Sequence, residues 1–445
     1  GTLFRRAYTM VSTCSPSRTC LMTGCRPDTT RIYDLHTHFR TTIPDVVTLT
    51  QHFRKHGYET VGMGKVFHGS LNDKPSWTHW VTPPWPGGPW LDPETVAWRR
   101  KRREEGAKKK LKGRALQRYT RGPVTECMDV PDNAYIDGAM TDVAVKELRK
   151  LGASGKPFFL AVGYHKPHLP FIAPKWYWDL YPEETITLTD NPHHPEGMPP
   201  GAVDTFPGEL GAYSDVAELS RAMKAAGRKP APDAAMSRRL IHGYYACISY
   251  IDAQVGRLLD TLAETGLADN TVVCLWGDHG WHLGENGTWG KHTNLEWGTH
   301  SPLIVRVPGQ AQPGADTRGI AEFVDVYPTL AEACGLPVPD HCEGRSLMPL
   351  VRKPGQAWEG VACSQFRKGI NGVACMGYTI RTDQWRYTEW RQRSDLKQLV
   401  ARELYDHRTR HDERENVVNN PQHAGLVRVL ARRLHAGGRT RVPKE

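Results

Sequence analysis

The sequence lacks any long apolar run. Its longest stretches, such as residues 158–162, fall far short of the roughly 20 residues that cross a bilayer, so no membrane span is expected. Cysteine is sparse, and ten in 445 residues are too few for a disulfide scaffold. No internal repeat is found, which excludes a solenoid. No initiator methionine and no signal peptide open the chain, which starts at Gly1. A general excess of one charge is also missing. The formal net charge is +10, yet twelve Lys/Arg against two Glu lie between Arg99 and Arg121, and the rest of the chain holds 46 of each sign. No aromatic stacking platform for bases accompanies that basic run, so nucleic acid is not an expected partner. The run reads either as a solvated helix or loop insertion, or as an electrostatic lure for an anionic polymer.

What is present is ample apolar material, 39% of residues, enough for a sizeable core. Buried-strand patterns occur at residues 60–63, 157–163, 271–276 and 302–307. A helix is expected over residues 45–56. Met140, Val143, Ala144, Leu148 and Leu151 form one helical stripe, and Tyr244, Ile248, Ile251, Val255, Leu258 and Leu262 form another. Helix followed by buried strand, repeated, predicts an α/β fold with a mostly parallel sheet. Residues 182–235, rich in Pro, Gly, Asp and Ala, read as loops of the kind that shape a site. A linker near residue 353 precedes strand candidates at 361–366, 373–381 and 385–390 and a helix over about 422–434. The division expected is a catalytic domain over 1–350 and a smaller subdomain over 351–445.

Four segments carry chemistry. Cys14-Ser15-Pro16-Ser17-Arg18 sets a cysteine beside a cation at a probable helix start, which favours thiolate; a nucleophile and a buried structural cysteine are both open readings. Gly64-Lys65-Val66-Phe67-His68 places a Lys and a His beside glycines but lacks the full phosphate-loop pattern. His165-Lys166-Pro167-His168 follows a strand, at the edge where open α/β sheets place ligands. Asp278-His279-Gly280-Trp281, with Lys291-His292 after it, follows another strand, and Asp278 is a plausible hard-metal ligand or a helix cap.

In this order the four segments resemble the type I sulfatases. The run Arg26-Pro27-Asp28-Thr29-Thr30-Arg31-Ile32-Tyr33-Asp34, together with residues 164–171, 376–382 and 403–406, resembles the iduronate-2-sulfatase-like branch. The resemblance implies an alkaline-phosphatase-like α/β fold: a mostly parallel sheet sandwiched by helices, with a smaller C-terminal α+β subdomain. It implies that a maturation enzyme oxidises Cys14 to formylglycine, whose hydrate attacks sulfur. Arg18 would hold that hydrate, Lys65 and His68 would contact it and the sulfate, and Lys291 would grip the sulfate. His165 would protonate the leaving oxygen. Asp278 and His279, with residue 14, would hold Ca2+, with Mg2+ less favoured, and Trp281 and His292 would flank the sugar. The implied substrate is a sulfated saccharide, and the implied location is periplasmic, extracellular or lysosomal.

One element of the pattern is not seen. The family's two adjacent N-terminal aspartates have no counterpart among residues 1–13, which contain no acid. A missing first strand, poor metal binding and low activity are therefore expected of this chain. Cys334 and Cys342 could pair if the protein is exported. A phosphate or phosphonate monoesterase of the same superfamily, or a non-catalytic binder of sulfated glycans, stand as alternatives.

Overall fold

The computed structural model describes residues 1–436. Three parallel strands, His79–Val81, Glu59–Gly64 and Phe158–Gly163, lie side by side in that order. A second sheet runs Asp316–Thr317, Thr2–Phe4, Leu303–Arg306 and Val273–Trp276. Here Leu303–Arg306 pairs antiparallel with both neighbours; residues 277–302, which lead into it from Val273–Trp276, hold a short hairpin and one helical turn and make no long helical crossover. The strands Phe158–Gly163 and Val273–Trp276 are each paired on one edge among the described residues, and most of their residues are half-buried rather than fully buried. The faces of Phe158–Gly163 still alternate. Phe159 and Ala161 pack with the core of Phe4, Leu21, Phe53 and Leu303, whereas Leu160 and Val162 meet Met140 and Ala144 of the Ile136–Ser154 helix. Side chains such as Phe4 and Leu303 are buried, each contributing about 1.5–3 kcal/mol.

Several expectations need correction. The first helix after the Arg-Pro-Asp run spans Leu49–Lys55, not 45–56, because Thr48 and Gln51 form a capping box that fixes its start. Residues 182–235 are not all loop, since Ser214–Ala225 is a helix. The long helix Ala234–Glu264 buries Leu240, Cys247, Tyr250, Gln254 and Thr261, while Ile248 is exposed. Its inner face is partly polar because Tyr250 and Gln254 hydrogen-bond to Asp132. Cys334 and Cys342 are free thiols. Cys334 contacts the Tyr58 hydroxyl, whereas the Cys342 sulfur sits against Gly24, so the two serve different neighbours.

The C-terminal part is an antiparallel four-stranded meander, Ala362–Ile370, Val373–Arg381, Trp385–Gln392 and Leu399–Asp406. The helix Ala424–Ala436 covers it through Val427, Leu430 and Leu434. A buried charge network joins it to the larger body. Glu296 accepts from Tyr8 (2.8 Å), Arg381 Nε (3.0 Å) and Arg386 Nη2 (2.5 Å). Arg386 also reaches Glu413 (2.9 Å) and the Asn294 carbonyl (2.8 Å). Glu296, His407 and Glu413 cluster as closely as metal ligands, but two guanidinium groups already neutralise the carboxylates. The Arg-Pro-Asp run is structural too: Arg26 pairs with Glu322, and Asp28 accepts from Tyr33 and Gln365.

Candidate active site

Cys14 is the first residue of the helix Cys14–Thr23, which ends where Gly24 turns left-handed at φ +68°. The thiol is 2% exposed. Its Sγ lies 3.2 Å from His279 Nε2 and 3.4 Å from Lys65 Nζ. Burial and the Asp278 carboxylate push the thiol up, but Lys291, Lys65 and His279 outweigh them and bring it down to about 6. Desolvation pushes Cys25, Cys247 and Cys274 up to about 12; none of them has a ring of three cations, and the one near Cys247, Lys166, does not offset its burial.

Two glycines make this meeting possible. A Cβ on Gly64 would fall 2.3 Å from the Gly163 carbonyl oxygen, and one on Gly163 would fall 2.2 Å from the Lys65 backbone. Without side chains the ends of the two parallel strands touch, with the Lys65 amide donating to the Gly163 carbonyl at 2.6 Å. The Gly-Lys and Gly-Tyr-His segments therefore leave the sheet side by side. His68 sits near Lys65, Arg18 and Lys291; burial and these cations bring its imidazole down to about 4, so it is neutral at pH 7.

Arg18 is placed differently from the expectation. Its Nε donates to Asp278 Oδ2 at 2.8 Å, and its Nη1 to the carbonyls of Lys65 and Val66. It thus braces the Asp278 carboxylate and the Lys65 loop, rather than gripping residue 14. Burial pushes Asp278 up, yet Arg18, His279 and the two lysines hold it well below the usual carboxylate range. His279 Nδ1 faces the Gly280 carbonyl at 2.9 Å, which turns Nε2 toward Cys14 and Asp278.

Lys291, 2% exposed, reaches Glu209 Oε2 at 3.1 Å and lies 5.3 Å from the centre of the Trp281 ring. Burial opposes its charge, but Cys14, Glu209 and Asp278 hold it protonated above the ordinary lysine value. Trp281 is buried, edge-on to Phe171. Lys291 Nζ lies over its ring, which supports that cation. His292 stacks on Phe366 and lies 3.4 Å from Asp204, which also binds Lys368 of the C-terminal sheet.

His165 follows the Phe158–Gly163 strand. Its amide donates to Asp137 Oδ1 at 2.8 Å, its Nδ1 lies 3.3 Å from the same oxygen, and the Lys166 amide donates to Oδ2 at 3.0 Å. Asp137 has no exposed surface. Burial pushes its carboxyl up, and the bonds and charge of His165 and Lys166 bring it below its ordinary value. The arrangement commits Nδ1 to the carboxylate and leaves Nε2 for a proton transfer. The half-buried His168 lies against the Leu169 carbonyl at 2.7 Å, and desolvation with the nearby lysines holds its imidazole well below the usual value.

Asp137, Glu209, Asp204 and Lys368 were not found by motif. Asp137 is one polar residue among the buried positions of a helix, and Glu209 sits in the irregular 182–235 stretch, where composition marks a region but no residue. Among the described residues, Cys14, Asp278 and His279 form the metal-like cluster of this site. They offer one thiol, one carboxylate and one imidazole beside two ammonium groups. Calcium takes six to eight oxygens and magnesium an oxygen-rich octahedron, so these three donors alone do not fit either ion.

Comparison with known proteins bears on this geometry. The sulfatase family matches residues 1–336, and the C-terminal family of N-sulphoglucosamine sulphohydrolase matches residues 284–439. The chain is 33% identical to iduronate 2-sulfatase of Mus musculus, over 96% of this chain and 86% of that protein, and 32% identical to the Homo sapiens protein. Among solved structures, a phosphonate monoester hydrolase from Silicibacter pomeroyi superposes with a TM-score of 0.70 at 22% identity, covering 99% of this chain and 88% of that one. A structure solved with D-glucosamine-2-N,6-O-disulfate superposes with a TM-score of 0.71 at 20% identity, covering 98% and 89%. Both likenesses show the fold.

Proposed function

The chain belongs to the sulfatase family, and we propose that it removes sulfate from a 2-sulfated uronate, or a related sulfated sugar, through a formylglycine made from Cys14. Sulfate-ester hydrolysis on sulfated sugars accords with its relatives. One observation supports the finer reading above the rest: the reactive position, residue 14, is ringed by Lys65, Lys291 and His279. The Cys14 thiol stands where the hydrated aldehyde would be. That hydrate supplies one hydroxyl to attack sulfur and a second whose deprotonation expels sulfate.

The chain's own residues do the rest. Lys65 and Lys291 oppose the negative charge of the sulfate oxygens, and they are held in place before substrate arrives, so no reorganisation is needed at the reacting centre. Asp137 fixes His165 Nδ1, and Nε2 gives its proton to the leaving sugar oxygen. Arg18 keeps Asp278 ionised and the Lys65 loop in position. Neutral His68 offers a lone pair or an N–H at the sulfate side. A divalent cation accords with the family, and calcium is the expected ion, with further oxygen ligands beyond Asp278 required. The maturation enzyme that oxidises Cys14 is the implied partner. Export is proposed from the relatives; no helix among the described residues is long and apolar enough to cross a membrane.

The test is sulfate release from a disaccharide ending in 2-sulfated iduronate. The chain is produced together with a formylglycine-generating enzyme, and Cys14→Ala is the control. Release that disappears in the control is expected. No release from the disaccharide by protein whose residue 14 is shown by peptide mass to be an aldehyde, and which still hydrolyses a simple aryl sulfate, would overturn the uronate assignment. Faster turnover of the matching phosphate ester would move the chain to the phosphatases.

A further inference from the structure

The basic run is not a disordered tail. Pro93–Lys108 and Gly113–Tyr119 form two helices folded back on each other. The Arg102 guanidinium lies 3.6 Å from the centre of the Tyr119 ring, whose hydroxyl donates to Glu105 at 2.9 Å, and Gly106 gives room to Leu116. Nine of the twelve basic residues between Arg99 and Arg121 are exposed, and Arg102–Glu105 is the one ion pair they make among the described residues. A folded hairpin thus holds like charges together on one projection, at an electrostatic cost that an anionic ligand would reverse.

A chain of contacts links its root to the site. Arg99 stacks on Trp90 at 4.4 Å, and Trp90 packs on Tyr213 at 6.4 Å. Tyr213 closes the turn Gly208–Ala212 that carries Glu209, the partner of Lys291. In the same connection Trp85, 59% exposed, stands edge-on to His165 with ring centres 6.3 Å apart. A bare indole beside the proton donor is a face for a sugar ring, and the charged hairpin continues from it.

We propose that the hairpin 93–119 is a docking arm for a polyanionic sulfated saccharide chain, holding residues beyond the one whose sulfate is removed. This rests on the sulfated-sugar reading of the site and adds that the substrate is polymeric. The rest of the chain is charge-balanced, so the attraction is local to the arm.

The test neutralises the arm in the full chain with Arg100→Gln, Lys101→Gln, Arg103→Gln and Lys108→Gln, all exposed, with circular dichroism to verify folding. Heparin is the binding probe, measured by fluorescence anisotropy over a range of salt; heparin and the sulfated disaccharide are the two kinetic substrates. The expected result is about tenfold weaker heparin binding at low salt, a flatter salt dependence, and a matching rise in KM for the polymer. The disaccharide, too short to span site and arm, should keep its kcat/KM. Unchanged heparin binding in the variant overturns the arm, as does tighter wild-type binding to duplex DNA or to phosphatidylserine vesicles. If the wild type hydrolyses neither sulfated substrate, the sulfatase reading fails, while the heparin titration still decides the arm.

Discussion

Asp137→Asn tests the proposed proton transfer from His165. The wild-type carboxylate is fully buried and meets three N–H groups from two consecutive residues. The amide keeps one acceptor oxygen, but its nitrogen is a donor facing donors, so at least one contact is lost. Hydrogen bonds to a charged group are worth about 1.5–3 kcal/mol each, so a stability loss of about 2 kcal/mol is expected in urea unfolding. The pH dependence has a definite sign. Because the folded carboxyl is held below its unfolded value, its stabilisation is complete at neutral pH and is lost as pH falls through the depressed value. The two proteins should therefore approach equal stability in acid. General acid catalysis contributes about 10²- to 10⁴-fold. With the ring misoriented rather than removed, kcat on an alkyl sugar sulfate should fall about 100-fold. The phenolate of an aryl sulfate with an acidic phenol departs without help from a proton, so kcat on that substrate should fall far less. Equal losses on the two substrates would refute the role of Asp137 and His165 in protonating the leaving group.

Three further outcomes follow from the geometry. Glu209→Gln frees Lys291 from its carboxylate partner, so free sulfate should inhibit up to about tenfold more tightly; an unchanged inhibition constant would remove Lys291 from the sulfate site. In protein made without the maturation enzyme, iodoacetamide should label Cys14 with an apparent pKa near 6, ahead of Cys25, Cys247 and Cys274, as read by peptide mass. Arg386→Met leaves Glu296 and Glu413 underpaired in the interior and should cost about 3–5 kcal/mol in denaturant unfolding; a loss below 1 kcal/mol, on the order of one exposed pair, would show that the network is solvated.

The legible part of the site was the part whose chemistry lies in short strings. Cys14, Lys65, Asp278 and Lys291 each stand at a strand end or helix start, where local sequence sets the turn, and the structure brings all four together. Asp137 was hidden because a buried carboxylate is explained by its partners, the amides of residues 165 and 166, which lie 28 and 29 positions away. The orientation of Trp281 is not legible either: adjacency to a motif says nothing about which way an indole faces, and here Lys291 lies over its ring. Arg18 is four residues from Cys14 in sequence, but the helix projects it onto Asp278. The α/β alternation was visible in the apolar runs. The antiparallel pairing of Leu303–Arg306 with Val273–Trp276 was not, because an irregular connection carries no periodicity to announce the chain's direction.

The Glu296 network alters how distant lesions will present. Lys291 and Glu296 lie on the same short segment, and that segment is clamped by arginines on two strands of the C-terminal sheet. The sheet thus works as a splint on the segment that carries Lys291. Damage to the splint, from a truncation or a lesion beneath the Ala424–Ala436 helix, should leave a chain that still folds its parallel strands and still presents residue 14, yet lets its cation wander. Such variants would lose stability and turnover together, with the defect some distance from Cys14 and the groups around it.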